Sequence, residues 1–175
     1  MLIVFSGLPA SGKSTISRLV AQDLRAVYIR VDTIEQTLRD TGFQEVQHEG
    51  YKIAYAMAAD NLALGKIVVA DSVNPIGITR KAWRAVGHSA KIQVVEIETI
   101  CSDRQRHKER VETRVVDIDH LVLPTWDEIL ARDYEPWTQP DILIDTASEA
   151  PQQSSDKVLA IIRSRINTQG ISDSF

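Results

Sequence analysis

The chain carries one cysteine, Cys101, and so can form no disulfide within itself. That fits a reducing compartment. It also leaves a Cys-based zinc site without partners, since none of His48, His88, His107 and His120 stands at zinc-like spacing from it. The four histidines read as surface groups, Cys101 as a small buried residue. No apolar run approaches the length needed to cross a bilayer. The N-terminal stretch lacks the basic region of a secretory leader, and its apolar run, Leu2 to Phe5, serves better as a strand. A cytoplasmic protein with no membrane partner is expected. An excess of basic charge is missing as well. The net charge is −4 and the pI about 5.6, the reverse of a protein that tracks a nucleic-acid backbone. Aromatic residues make up only 6%, which leaves few platforms for stacked bases.

What is present suits a soluble globular fold. Hydrophobic residues make up 43% and charged residues 25% of 175. Short apolar runs rich in β-branched residues alternate with segments of helical spacing. Strands are expected at Leu2–Phe5, Val27–Val31, Ile67–Ala70, Lys91–Ile97 and Ile142–Ile144. Helices are expected from Lys13, from Asp32, over His48–Leu64 with Gly65 as the stop, and from Pro75 to about Val86. Three more are expected over Ser102–Val115, Pro124–Tyr134 with Thr125 as cap, and Ser154–Ile166. Asp32 with Glu35 reads as a capping box. Buried strands separated by helices imply a parallel sheet covered on both faces. Residues 1–167 read as a single domain and 168–175 as a frayed tail.

The turn after the first strand carries the chemistry. Gly7-Leu8-Pro9-Ala10-Ser11-Gly12-Lys13-Ser14 matches G-x-x-x-x-G-K-S/T without deviation, after a strand and before a helix. Gly7 and Gly12 allow close approaches that a Cβ blocks. The loop through Pro9, Ala10 and Ser11 then aims amides at a β-phosphate, with the partial charge of a helix N-terminus behind them. Lys13 reaches the β- and γ-phosphates, the Ser14 hydroxyl is a Mg²⁺ ligand, and Thr15 extends the cradle. ATP with Mg²⁺ is the expected pair.

Asp32 follows the second strand and Asp71 ends the third. An arginine-rich segment, Asp103 to Arg114, follows the fourth. In combination GLPASGKST, Asp32, VVADSVNP and ERVETR followed by LPTWDEILARDYEPW resemble the small P-loop kinases. That group includes gluconate kinase, adenylylsulfate kinase, chloramphenicol phosphotransferase and zeta toxin, and the strongest resemblance is to its bacterial "AAA-domain" kinases. The resemblance implies a P-loop NTPase fold, a three-layer α/β/α sandwich. Its sheet would be five-stranded, parallel and ordered 2-3-1-4-5, with a small helical lid at about 103–125. It implies Asp32 as the base for an acceptor hydroxyl and Asp71 as a metal-associated carboxylate, although spacing alone does not divide those roles. It implies Arg110 and Arg114 as lid arginines on the γ-phosphate. Arg104 and Arg106 fall where the group meets the adenine or its phosphates, and Thr146 where it meets the base, with a structural turn as the alternative for Thr146. Arg39, Asn74, Arg80, Thr33 and the segment 42–51 are candidates for the acceptor side. Relatives often carry Arg three residues after the strand-two Asp; Glu35 stands here instead. Trp83, Trp126 and Trp137 read as packing residues, with base stacking as an alternative for Trp126.

The expected function is ATP-dependent, Mg²⁺-dependent phosphotransfer to a hydroxyl of a small-molecule acceptor. A nucleic-acid end kinase is opposed by the acidic charge, the few aromatics and Glu35. A toxin-like sugar-nucleotide kinase would share the chemistry and differ in the acceptor. From another class, a nucleotide-operated ATPase switch without acceptor remains. A GTPase would need N-K-x-D, which does not occur, and an AAA+ motor would need a second helical domain for which 175 residues leave little room.

Overall fold

The computed structural model describes residues 1–172, with side chains through Asn167. Five strands form one parallel sheet: β1 (Leu2–Ser6), β2 (Val27–Arg30), β3 (Val68–Asp71), β4 (Val94–Ile100) and β5 (Ile142–Asp145). Their order is β2-β3-β1-β4-β5, as expected. β1 lies in the centre, with Leu2 opposite both Val68 and Val94. The helices are α1 (Lys13–Asp23), α2 (Val31–Asp40), α3 (Glu49–Ala63), α4 (Gly77–Ser89), α5 (Arg104–Thr113), α6 (Trp126–Leu130) and α7 (Pro151–Ser172).

Alternation along β1 divides the core. Ile3 and Phe5 pack under α1 and α7 with Ile16, Val20, Val158 and Ile162. Leu2 and Val4 face the other way, against Ala54, Ala58 and Leu62 of α3 and Trp83 of α4. These four apolar side chains of β1 are fully buried, each contributing about 1.5–3 kcal/mol in removed apolar area. A continuous apolar run is therefore what a central parallel strand requires. Small alanines at 54 and 58 let α3 approach the sheet.

Several boundaries differ from expectation. α2 follows β2 without a loop: Arg30 is its N-cap, and Asp32 is a first-turn residue instead of a cap, so the 32/35 capping box is absent. There Asp32 still meets the positive helix end. α4 starts at Gly77 because Asn74 turns the chain at φ 51 and Ile76 is extended. β4 begins at Val94, three residues late. Lys91, at φ 55, and the bonds Lys91 N to His88 O and Ile92 N to Gly87 O use those residues to close α4. Pro151 opens α7, where its missing N–H costs nothing, and the helix runs past the expected end at Ile166. The tail expected to fray, 168–175, lies outside the residues whose side chains are described. The capping box expected at Thr125 is present, with Glu128.

Candidate active site

The strand C-termini open into one cavity of about 1560 Å³. Its floor is the phosphate loop between β1 and α1. Three separate elements hold that loop. Gly7 N donates to Val73 O at 3.2 Å, beyond β3. Pro9 O meets His107 Nε2 at 2.8 Å, from α5. Ser11 O accepts from Thr146 Oγ1 at 2.8 Å, beyond β5. Gly7 is obligatory: at φ +144, an added Cβ would stand 2.2 Å from the carbonyl oxygen of Thr99. Gly12, at φ +95, leaves 3.1 Å to Thr146 Cγ2. Ala10 takes a left-handed φ of 63 although it carries a Cβ, so the neighbouring contacts impose the loop's shape. The first amides of α1 precede its first internal bond, Ile16 N to Gly12 O, and their residues, Lys13 to Thr15, line the cavity.

Lys13 and Asp71 meet beneath the loop. Lys13 is 5% exposed and Asp71 1%. Lys13 Nζ lies 3.4 Å from Asp71 Oδ1, and Tyr28 donates its hydroxyl to Asp71 Oδ2 at 2.6 Å. Burial pushes the Asp71 carboxyl up, but Lys13, Tyr28, Ser14 and Arg30 together bring it below the usual carboxylate range. The same burial, with Asp71 beside it, pushes the Tyr28 hydroxyl up, so Tyr28 stays protonated and donates. Asp71 Oδ1 is buried with no hydrogen-bond donor of its own, and the Ser14 hydroxyl adjoins the carboxylate. One carboxylate, one hydroxyl and incoming phosphate oxygens form the hard, water-sharing donor set that Mg²⁺ prefers. Among the described residues no cluster of three His, Cys, Asp or Glu offers an all-protein metal cage. The residues fit a phosphate-bridged Mg²⁺.

Around the cavity stand Pro9, Ala10, Gly12, Lys13, Ser14, Thr15, Asp32, Arg39, Arg110, Arg114 and Thr146 of the expected set. On α2, Val31, Asp32, Glu35, Gln36 and Arg39 form one helical face on it. Glu35 pairs with Arg39 at 3.6 Å, and burial and then Asp32 push its carboxyl up. Gly50 makes room for it, since a Cβ there would meet Glu35 Cγ at 2.3 Å. From the segment 42–51, Val46, Gln47, His48 and Tyr51 line the wall.

Other candidates stand elsewhere. Thr33 is on the opposite face of α2, its carbonyl accepting from Thr37. Asn74 is fully buried and does not line the cavity; its Nδ2 donates to Ser6 Oγ at 3.0 Å and its N–H to Tyr51 Oη at 2.8 Å. Arg80 is also buried, donating to the carbonyls of Asn74, Pro75 and Glu135 between the rings of Tyr134 and Trp137. Buried carbonyls without strand partners need donors, and Arg80 supplies them. Arg104 is exposed and Arg106 donates to Ala147 O; neither lines the cavity. Arg110 lines it, yet holds Thr146 Oγ1 at 2.7 Å and Thr146 O at 2.8 Å. The Thr146 hydroxyl is thus taken up by the loop and by Arg110. Arg114 caps α5 in an extended conformation, so it does not continue the helical face that carries Arg106 and Arg110. His107 is buried, not a surface group, and Trp126 packs edge-on against it at 5.3 Å. Sequence reasoning missed Arg18, Arg30 and Asp117, which line the cavity together. A strand-terminal Arg two residues before Asp32 was a readable signal; Asp117 had none.

Comparison with known proteins agrees with this architecture. The AAA-domain family matches residues 2–136. An adenylyl-sulfate kinase of Synechococcus sp. is 27% identical over 169 residues, covering 92% of this chain and 93% of its own. One from Halothermothrix orenii is 25% identical, covering 92% and 88%. The Mycobacterium tuberculosis APS kinase in complex with AMPPNP and APS superposes with a TM-score of 0.68 at 18% identity, covering 93% of this chain and 96% of that one. A gluconokinase from Sinorhizobium meliloti gives 0.66 at 16%, covering 99% and 97%. Among the described residues no helix is long and apolar enough to cross a membrane. These relatives and neighbours share the fold, and the chain itself belongs to the AAA-domain family.

Proposed function

We propose that the protein moves the γ-phosphoryl of ATP to a hydroxyl of a small-molecule acceptor. The observation that carries this is the cavity: about 1560 Å³ on one continuous floor, above the roughly 300–1,000 Å³ of a one-ligand pocket. A triphosphate on the loop leaves room beside Asp32. Residues 1–167 act as one kinase domain with 103–125 as its lid, in the cytoplasm.

The loop amides and Lys13 hold the β- and γ-phosphates, and Lys13 exchanges Asp71 for phosphate oxygens as nucleotide enters. Ser14 and Asp71 would hold Mg²⁺, which would supply charge neutralisation to the phosphates. Asp32 orients the acceptor hydroxyl and takes its proton. Arg114, expected as a lid arginine, has Asp32 among its charged neighbours and stands on the acceptor side of the transfer. Arg110 acts one step back, fixing Thr146 and through it the loop. The adenylyl-sulfate kinase and gluconokinase relatives support a small acceptor, and the AMPPNP complex supports ATP.

The test is γ-labelled ATP against a panel of nucleosides, sugars, adenylylsulfate, antibiotics and oligonucleotides. Label transfer to a small molecule, reduced about 10²–10⁴-fold in kcat by Asp32→Asn with ATP affinity retained, is the expected result. Hydrolysis alone, whatever the acceptor, would point to the ATPase switch instead.

A further inference from the structure

Two arginines meet on one carboxylate at the edge of the cavity. Asp117 Oδ2 accepts from Arg18 Nη2 at 2.6 Å and from Arg30 Nη1 at 2.9 Å. Arg18 belongs to α1 and Arg30 is the last residue of β2, so both donors stand on the frame of the sheet. Asp117 stands in the stretch between α5 and α6, which contains no helix or strand. Its side chain is 48% exposed, against 13% for Arg30. The replaceable partner is the carboxylate, not the guanidinium.

A third arginine faces the same place. Arg114 is half-buried, with Asp32, Arg30 and Asp117 as its charged neighbours. Its Nε and the Nε of Arg30 are buried without a hydrogen-bond partner. Asp71, 3.9 Å from Arg30 Nε, is already engaged by Tyr28 and Lys13. Three guanidinium groups thus share one lid carboxylate, which gives a single oxygen to two of them. Unpaired buried donors are costly, and a guanidinium fork is shaped for a two-oxygen anion.

The cluster's place on the sheet indicates which ligand would bring that anion. Arg30 ends the edge strand β2, whereas Thr146 follows β5 at the opposite edge and Arg110 of α5 is bonded to it. The phosphate loop lies between them, after β1. On the proposed function, transfer runs away from the β5 side, toward Asp32 and these arginines.

We propose that Arg18, Arg30 and Arg114 bind an oxyanion of the acceptor (phosphate, sulfate or carboxylate), and that Asp117 fills this site as an internal counter-ion until the acceptor displaces it. The acceptor half of the statement rests on the kinase reading; the arginine site does not. No covalent step is involved: one anion replaces another, and the lid stretch carrying Asp117 is released.

Sodium sulfate titrated at constant ionic strength, followed by calorimetry, tests this. The protein is first saturated with AMPPNP and Mg²⁺ so that the γ-phosphate position is filled. Asp117→Asn should bind sulfate at least tenfold more tightly than the wild type. Adding Arg18→Gln, a change at a half-exposed position, should remove that gain. Equal affinity in wild type and D117N overturns the proposal, and so does a gain that survives R18Q. A gain seen only without AMPPNP gives the arginines to the γ-phosphate and overturns the acceptor assignment. Failure of AMPPNP to bind at all counts against the proposed function, and the sulfate series without nucleotide then decides the arginine site alone.

Discussion

Asp71→Asn separates the two lives of Lys13. In the ligand-free protein Lys13 Nζ is buried, and its carboxylate partner, 3.4 Å away, is Asp71. The substituted side chain can still accept from Tyr28 through its oxygen, but its amide nitrogen then faces the ammonium with two donors. Removing one partner of a buried pair costs about 3–5 kcal/mol, chiefly because the remaining charge is stranded. In a chain of this size each kcal/mol shifts Tm by about 2–4 °C, so ligand-free D71N should melt about 6–20 °C lower. Nucleotide changes the balance, because phosphate oxygens replace the missing carboxylate. The stabilisation by saturating ADP in EDTA should therefore be larger in D71N than in the wild type and recover more than half of the loss. Mg²⁺-dependent turnover should fall in the same variant. Scanning fluorimetry with and without ADP reads both melting shifts. A ligand-induced shift in D71N no larger than the wild type's would refute the idea that Lys13 passes from one anion to the other.

Three further outcomes follow from the site. Thr146→Val keeps the shape and deletes the hydroxyl between Ser11 O and Arg110, so it should cost about 1–3 kcal/mol in chemical denaturation; an unchanged KM for ATP would contradict its role in holding the loop. Gly7→Ala drives a methyl into Thr99 O at an unfavourable φ, and overpacking of about 1–3 kcal/mol should appear together with at least tenfold weaker nucleotide binding in calorimetry. The Asp117 carboxyl is held at about 2, mainly by its hydrogen bond from Arg30 against the opposing effect of burial. Its stabilising effect is present above the ordinary carboxylate value near about 4 and is lost as pH falls toward 2. Acid unfolding of D117N should accordingly show a shallower limb between those values, and a limb identical to the wild type's would show that the pair contributes nothing measurable.

The sheet was legible because burial on two faces leaves a strong imprint. Leu2 to Phe5 are buried on both faces, and Val68 to Ala70 of β3 repeat that pattern. The phosphate loop was legible because its glycines answer to geometry, as Thr99 O at Gly7 demonstrates. Element ends were read less well. The start of α2 depends on Arg30 being extended while Val31 is already helical, and the start of β4 on a left-handed Lys91. Neither residue type announces such a conformation. On the acceptor side, Asn74 and Arg80 looked like ligand groups because polar residues after a strand often are. They are buried because the stretch after β3 exposes carbonyls that no strand can pair.

Arginine shows most clearly where sequence reading ends. Positive charge beside a phosphate loop invites the inference that each guanidinium meets phosphate. Yet the cost of leaving backbone carbonyls or guanidinium donors unpaired sorts these residues into two groups. Arg80, Arg106 and Arg110 give donors to carbonyls of Asn74, Ala147 and Thr146, and so hold the surrounding chain in place. Arg30 and Arg114 keep a buried Nε without a partner inside the cavity. Among the arginines that line the cavity, a buried donor left unmatched is a better pointer to a ligand than position in a motif. By that criterion the unmatched arginine donors of this cavity lie toward the β2 edge, near Asp32 and Asp117, rather than along α5.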